Sequence, residues 1–314
     1  DDFFQFGGSL LLASMERQLS KQTGLDISLD LLLANPTLAG MATVVDSLCA
    51  NIPLTTPILD LDLEAKIRSP FHHLQLWQGS LETYRNKTNK HILLTGASGY
   101  LGLFLLAAIA QEVSVERVYC LVRDLDSAEG DRRLRRGLQH LSAMESDSMD
   151  SPPWFSKIVS VCGDLTLPNA GIAEDVLQPL TEEIDLVIHS GAEVNFLQPY
   201  ASLVEANVSG TCRVLELAYQ ASAPFLFIST TEANKPSDGY SQTKQVAEKI
   251  CQQVYTDIKL PIFTIRCGDL AAPSRYVVSH SNQSTINQND YFNLLLSACL
   301  TLGSWPQDVR WAIN

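Results

Sequence analysis

The sequence predicts an α/β fold, a parallel and doubly wound sheet preceded by a small helical bundle, and three observations carry that expectation. From Lys90 onward, short apolar runs alternate with amphipathic stretches, the pattern of strands joined by crossover helices. The first of those runs, His91–Thr95, leads directly into a glycine-rich turn and a long apolar stretch. Residues 1 to 50 instead carry apolar residues at helical spacing, broken by short polar turns. A length of 314 residues suits about two domains of ~100–200 residues each. Hydrophobic residues at 46% against 18% charged supply material for a buried core.

The N-terminal bundle is read from three apolar groups: Leu10, Leu11, Leu12, Met15 and Leu19; Leu29 to Leu33; and Leu38, Met41, Val44, Val45 and Leu48. Pro36 and Thr37 stand where the last of its helices should start. Residues 51–89 hold Pro53, Pro57 and Pro70, few strand signals and mixed charge, and read as a linker that packs in part on its neighbours. Within residues 90–314 the expected strands are His91–Thr95, Arg117–Arg123, Ile158–Gly163, Leu186–Ser190, Phe225–Ser229 and Ile262–Arg266. The acidic, Ser- and Met-rich stretch Ser142–Pro153 reads as a surface loop.

A formal net charge of -13 argues against a nucleic-acid or acidic-membrane surface. The seven cysteines are scattered through apolar runs with no CxxC pair, the usage of free thiols in a reducing, cytoplasmic compartment. His72 and His73 are adjacent and do not converge on one ion, so no metal site is expected. The longest apolar run, Leu101 to Ala110, is too short for a bilayer, which takes ~20 residues. Neither a membrane span nor a signal peptide is expected. The chain opens at Asp1-Asp2-Phe3-Phe4 rather than at Met, within what reads as a motif, so a longer parent chain is expected.

The glycine-rich turn is Gly96-Ala97-Ser98-Gly99-Tyr100-Leu101-Gly102. A strand before it and a helix after it place it where a backbone must turn tightly, approach a pyrophosphate and present a helix N-terminus to that charge. Gly96, Ser98, Gly99, Tyr100, Leu101 and Gly102 are therefore the expected dinucleotide contacts of a Rossmann-type sheet. The next strand ends at Arg123-Asp124. An arginine there accommodates a 2′-phosphate and favours NADP(H), whereas Asp124 leaves room for NAD(H). Arg133 can reach the same phosphate, although Arg132, Arg133, Arg135 and Arg136 equally fit a solvated helix face. Asp164, followed by Leu165, ends the third strand and can bond the adenine amino group. Ser190, Gly191 and Ala192 are small residues where the fourth strand passes beside the cofactor.

The fifth strand ends in Ser229-Thr230-Thr231, and nine residues on stands Tyr240-Ser241-Gln242-Thr243-Lys244. Tyr240 and Lys244, at i and i+4, share one helix face. A free phenol has a pKa near 10, and a nearby ammonium is expected to lower it, tuning Tyr240 as a general acid. Lys244 would also bond the nicotinamide ribose, and Thr230 would hold a carbonyl oxygen beside the phenol. The expected chemistry is hydride transfer.

On these runs, with Tyr119–Arg123, Gly163–Thr166, Val187–His189, Val194-Asn195, Pro199-Tyr200, Ala206–Val208, Gly210-Thr211 and Gly239–Glu248, residues 90–314 resemble the extended branch of the short-chain dehydrogenase/reductase family. Within it they are similar to the thioester reductase domains of nonribosomal peptide synthetases, carboxylic acid reductases and aminoadipate reductases. The resemblance implies Thr230, Tyr240 and Lys244 as catalytic, and Gly96, Gly99, Gly102, Arg123 and Asp164 as cofactor contacts. The interval from Thr231 to Tyr240 is shorter than these domains usually have. The chain also stops at Asn314, before most of the C-terminal subdomain that shapes their substrate pocket, so a C-terminally truncated domain is expected.

Residues 1–50 resemble a peptidyl or acyl carrier domain lacking its first helix. Asp1–Leu10 follows the pattern D-x-F-F-x-x-G-G-x-S-L with one residue missing before Leu10. The resemblance implies 4′-phosphopantetheine on Ser9, or on a serine missing between Ser9 and Leu10; a plain helix cap at Ser9 is the alternative. The implied reaction is NADPH-dependent release of the tethered thioester, a hemithioacetal collapsing to an aldehyde, with a second hydride giving an alcohol. An adenylation domain upstream in the same polypeptide would load the arm. Two other readings remain: a reductase or sugar-nucleotide epimerase acting on a soluble substrate, and an inactive domain that serves as a carrier-docking scaffold.

Overall fold

The structure is a computed structural model that describes residues 9–28, 31–32, 35, 37–50, 59–124, 126–142, 153–268, 270 and 301. The Asp1–Gly8 motif, Leu29, Leu33, Pro36, Pro53, Pro57, Cys299 and most of Ser142–Pro153 lie outside the described residues.

Among the described residues, the N-terminal region includes the helices α1 (Ser9–Thr23) and α2 (Leu38–Cys49). Thr37 caps α2 as its position suggested, its hydroxyl accepting from Gly40 N–H at 3.1 Å. Leu12, Ile27, Leu32 and Met41 close into a small core of their own.

Of the segment read as a partly packed linker, residues 59–89 are described. It forms α3 (Leu61–Arg68), capped by Asp60, and α4 (Leu81–Asn86). Ala65 and Phe71 are buried in the main core. Glu64 holds Arg68 at 2.6 Å and accepts from the Tyr200 hydroxyl at 2.9 Å.

The remaining elements are β1 (Lys90–Thr95), α5 (Tyr100–Gln111), β2 (Val115–Val122), α6 (Ser127–Ser142), β3 (Ile158–Cys162), α7 (Glu174–Glu183) and β4 (Leu186–His189). After them come α8 (Tyr200–Val204), a π turn (Glu205–Ser209), α9 (Gly210–Gln220), β5 (Phe225–Thr230), α10 (Gly239–Ile258) and β6 (Ile262–Cys267). Each expected strand is present, its ends within two residues of expectation. All five pairings are parallel and the order is β3-β2-β1-β4-β5-β6. Side chains alternate between the sheet's two faces. Leu93, Tyr119, Val187, Phe225 and Phe227 pack with α9 and α10, while Ile92, Leu94, Val118, Cys120 and Ile188 pack with α5 and α6. The strand order reverses between β1 and β4, and at their C-terminal ends lies the crevice where such sheets bind ligands.

Candidate active site

The turn after β1 is built by close backbone approach. Gly96 has φ +71°, a left-handed conformation that glycine adopts freely, and a Cβ on it would meet Gly191 N at 2.7 Å. A Cβ on Gly102 would stand 1.9 Å from the Gly96 carbonyl oxygen. The β1 turn, the start of α5 and the end of β4 therefore touch main chain to main chain. The positive end of the α5 dipole opens onto the crevice, with Tyr100 and Leu101 at its rim.

One cavity of about 850 Å³ brings together the residues expected to act. Gly96, Ser98, Gly99, Tyr100, Leu101 and Gly102 line its centre; Arg123, Arg133, Asp164 and Leu165 line one end. Ser190, Gly191 and Ala192 form part of the wall, and Thr230, Tyr240 and Lys244 line the other end. Ser9 is the first residue of α1, and its side chain lies outside the described ones.

At the first end, Arg133 donates from Nη1 to the Arg123 carbonyl at 3.1 Å and to Asp124 Oδ2 at 3.2 Å. The acid that could have served a ribose 2′-hydroxyl is thus paired with an arginine. Asp164 Oδ1 accepts from Thr166 N–H and from its hydroxyl, at 2.8 and 2.7 Å. Those bonds, with Arg123 and Arg213 nearby, keep its carboxyl below the usual range against the opposing pull of burial. Oδ2 remains as an acceptor for an amino group.

At the other end, Asp238 caps α10 and exchanges bonds with Ser241, so Tyr240 is held in the first turn of that helix. Phe196 stands edge-on to the Tyr240 ring at 5.4 Å between centroids. Lys244 is buried; its Nζ donates to the Ile228 carbonyl at 2.7 Å and lies 4.4 Å from the centre of the Phe227 ring. Burial draws its pKa down to about 8. The expected lowering of Tyr240 by Lys244 is not what is found. Burial, followed by Asp238 and Cys267, pushes the phenol up to about 12, while the ammonium is committed to a strand carbonyl.

Several lining residues were not expected at the site. Val194, Phe196 and Leu197 form an apolar lip, each more than 40% exposed. Cys267, counted among the core thiols, lines the cavity with Tyr240 and Lys244 and is only partly buried. The Ser229 hydroxyl is buried without a hydrogen-bond partner. Among the described residues no group of three His, Cys, Asp or Glu is placed to hold a metal, and no helix is long and apolar enough to cross a membrane.

The family model described as male sterility protein, an NAD-binding domain, matches residues 94–238 and 231–312. Glycine betaine reductase ATRR of Emericella nidulans is 30% identical over 345 residues, covering 99% of this chain and 25% of its own length. A linear gramicidin synthase of Brevibacillus parabrevis is 30% identical over 302 residues, covering 87% of the chain but 6% of that protein. The chain thus spans a quarter or less of these two relatives. Among solved structures, the terminal R domain of the myxalamid PKS-NRPS biosynthetic pathway is 31% identical with a TM-score of 0.66, covering 79% of this chain and 64% of that one. A thiolation-reductase di-domain from an archaeal nonribosomal peptide synthetase, 23% identical with a TM-score of 0.62, covers 96% and 65% and shares the fold. The NAD-binding match starts inside β1 and runs past Tyr240 and Lys244, on a sheet of the extended short-chain dehydrogenase fold. The chain therefore belongs to the male sterility protein family, whose model is an NAD-binding domain, and is similar to the terminal R domain of the myxalamid PKS-NRPS pathway.

Proposed function

We propose that the chain uses NADPH to reduce an acyl or peptidyl thioester carried on 4′-phosphopantetheine and releases it as an aldehyde. The observation that carries this reading is the meeting of Thr230, Tyr240 and Lys244 with the glycine turn in one cavity, under the lip of Val194, Phe196 and Leu197. The cradle fits a dinucleotide: a Cβ on Gly96 would strike the Gly191 backbone and one on Gly102 the Gly96 carbonyl, so glycine at both positions lets the turn close tightly beneath a pyrophosphate. Arg123 and Arg133 would hold a 2′-phosphate, Asp164 Oδ2 the adenine, and Lys244 the nicotinamide ribose. NADPH, when bound there, supplies the hydride.

The chain's own residues do the rest. Thr230 and Tyr240 hold the thioester carbonyl oxygen. Tyr240 is uncharged at neutral pH because burial keeps its proton on, so it has that proton to give to the oxygen as the carbon is reduced. As the C–S bond then breaks, the hydroxyl proton passes to the departing sulfur, so a thiol leaves and the aldehyde is freed; a second NADPH would reduce that aldehyde to the alcohol. The apolar lip excludes water from the reacting carbon.

Residues 1–50 are proposed as the carrier, with the arm at Ser9 or at a serine inserted after it, and residues 90–314 as the reductase joined through 51–89. Tethering supplies the acyl group at high effective concentration. An upstream adenylation domain of a nonribosomal peptide synthetase or carboxylic acid reductase would load it, in the cytoplasm. The test is an S-acyl pantetheine with NADPH, followed by cofactor oxidation and aldehyde capture. The wild type is expected to turn over about 10²–10⁴ times faster than Tyr240→Phe. A wild type no faster than the variant sinks the proposal.

A further inference from the structure

A line of buried hydrogen bonds joins the wall of the cofactor crevice to the catalytic helix, and the proposed chemistry does not use it. His189, Thr95, Thr211, Asn207 and Thr243 are each no more than 1% exposed. His189 ends β4, its Nδ1 2.7 Å from Thr95 Oγ1 and its Nε2 3.0 Å from Thr211 Oγ1. Counting protons fixes the direction of every bond. Thr211 donates its one hydroxyl proton to the Asn207 carbonyl at 2.6 Å, so towards His189 it can only accept, and Nε2 carries the hydrogen. Nδ1 is then bare and accepts from Thr95, whose oxygen accepts the Gly191 N–H at 3.0 Å. Burial draws His189 down to about 3, so the ring stays neutral at working pH.

Beyond Thr211 the line forks. Asn207 sits in the π turn, a feature frequent at functional sites. Its side chain accepts from Glu193 N–H at 2.7 Å and donates to the Glu193 carbonyl at 3.0 Å and to Thr243 Oγ1 at 3.1 Å. Thr243 in turn donates to the Tyr240 carbonyl at 2.7 Å. We propose that His189 is a positioning residue which, as a fixed Nε2–H tautomer, holds the Gly191 backbone in register with Tyr240 on α10. The role rests on reading the cavity as the nicotinamide and thioester site.

His189→Phe keeps a ring beside Phe227, on which the imidazole stacks at 5.8 Å, and removes both bonds. Thr211→Val removes one acceptor. In each, kcat with an S-acyl pantetheine is expected to fall about tenfold, while the NADPH Kd from fluorescence titration stays within about threefold. The double variant is expected to be no slower than the slower single one, because the same line is cut twice. Multiplied losses, or an unchanged kcat in both singles, overturn the proposal. Long-range 1H–15N spectra of the wild type give a readout that needs neither variant nor substrate. They are expected to show a protonated Nε2 and a bare Nδ1 from about pH 5 to about pH 9. An Nδ1–H tautomer or a titrating ring refutes the line even in a protein that reduces no thioester, whereas the expected spectrum with no thioester reduction refutes only the activity.

Discussion

Replacing Gly102 by alanine sets two effects of opposite sign against each other. Gly102 lies inside α5, where alanine ordinarily gains about 0.5–1 kcal/mol over glycine. Its Cβ would stand 1.9 Å from the Gly96 oxygen, 2.7 Å from Gly96 C and 2.9 Å from Ala97 Cα. All three are main-chain atoms, so no side-chain rotation relieves the contact, and either the turn or the helix start must move. Overpacking against fixed neighbours costs about 1–3 kcal/mol, with contacts this short at the upper end. The net loss expected is therefore about 2 kcal/mol. Gly99 is the control: it caps α5 with φ -79° and ψ 171°, and its Cβ would meet only the Gly96 oxygen, at 3.3 Å. Gly99→Ala should cost less than about 1 kcal/mol. Urea denaturation with NADPH titration reads both quantities. The expected order of stability is wild type, Gly99→Ala, then Gly102→Ala, the last also losing about tenfold or more in NADPH affinity because the shifted turn no longer admits a pyrophosphate. A Gly102→Ala protein as stable as wild type, the result that helix propensity alone gives, would refute the close-approach argument.

Arg123→Ala is expected to weaken NADPH by about 10–100-fold, the worth of one charged hydrogen bond, and to leave NADH nearly unchanged; equal losses for both cofactors would remove Arg123 from the 2′-phosphate site. The kcat/KM of the free enzyme should fall as pH rises through about 8, where the buried Lys244 loses its proton, rather than near the usual lysine value. Because that folded-state pKa lies below the unfolded one, the unfolded chain binds the extra proton between them. Lys244 therefore makes stability rise from about pH 8 to about pH 10.4, a sign that urea midpoints across that window check.

The strands were legible because a parallel strand buried on both faces is a short apolar run, and turn residues mark its ends. The glycine turn and the Tyr240–Lys244 spacing were legible because the chemistry fixes residue types at fixed offsets. What escaped was whatever depends on partners far away in sequence. His189, Thr95 and Thr211 are single polar residues in apolar surroundings, and His189 lies 94 and 22 residues from its two partners. Proline content and mixed charge made residues 51–89 read as a linker packed in part on its neighbours, but not which neighbour: Glu64 pairs with Tyr200, 136 residues on. The rise in the Tyr240 pKa was hidden for a related reason. Helical spacing puts Lys244 on the same face, but which carbonyl receives its ammonium is decided by β5.

The docking of α3 has a practical meaning for anyone recombining domains of this family. A reductase cut out at residue 90, where the sheet begins, would leave behind Ala65 and Phe71, two members of its own core, and the Glu64 partner of Tyr200. It would also forfeit the Lys249–Asp62 bridge from α10, at 2.5 Å. A chimera joined upstream of Leu59 keeps all of these contacts. The exchangeable cassette therefore begins about thirty residues before the first strand that sequence comparison would mark as its edge.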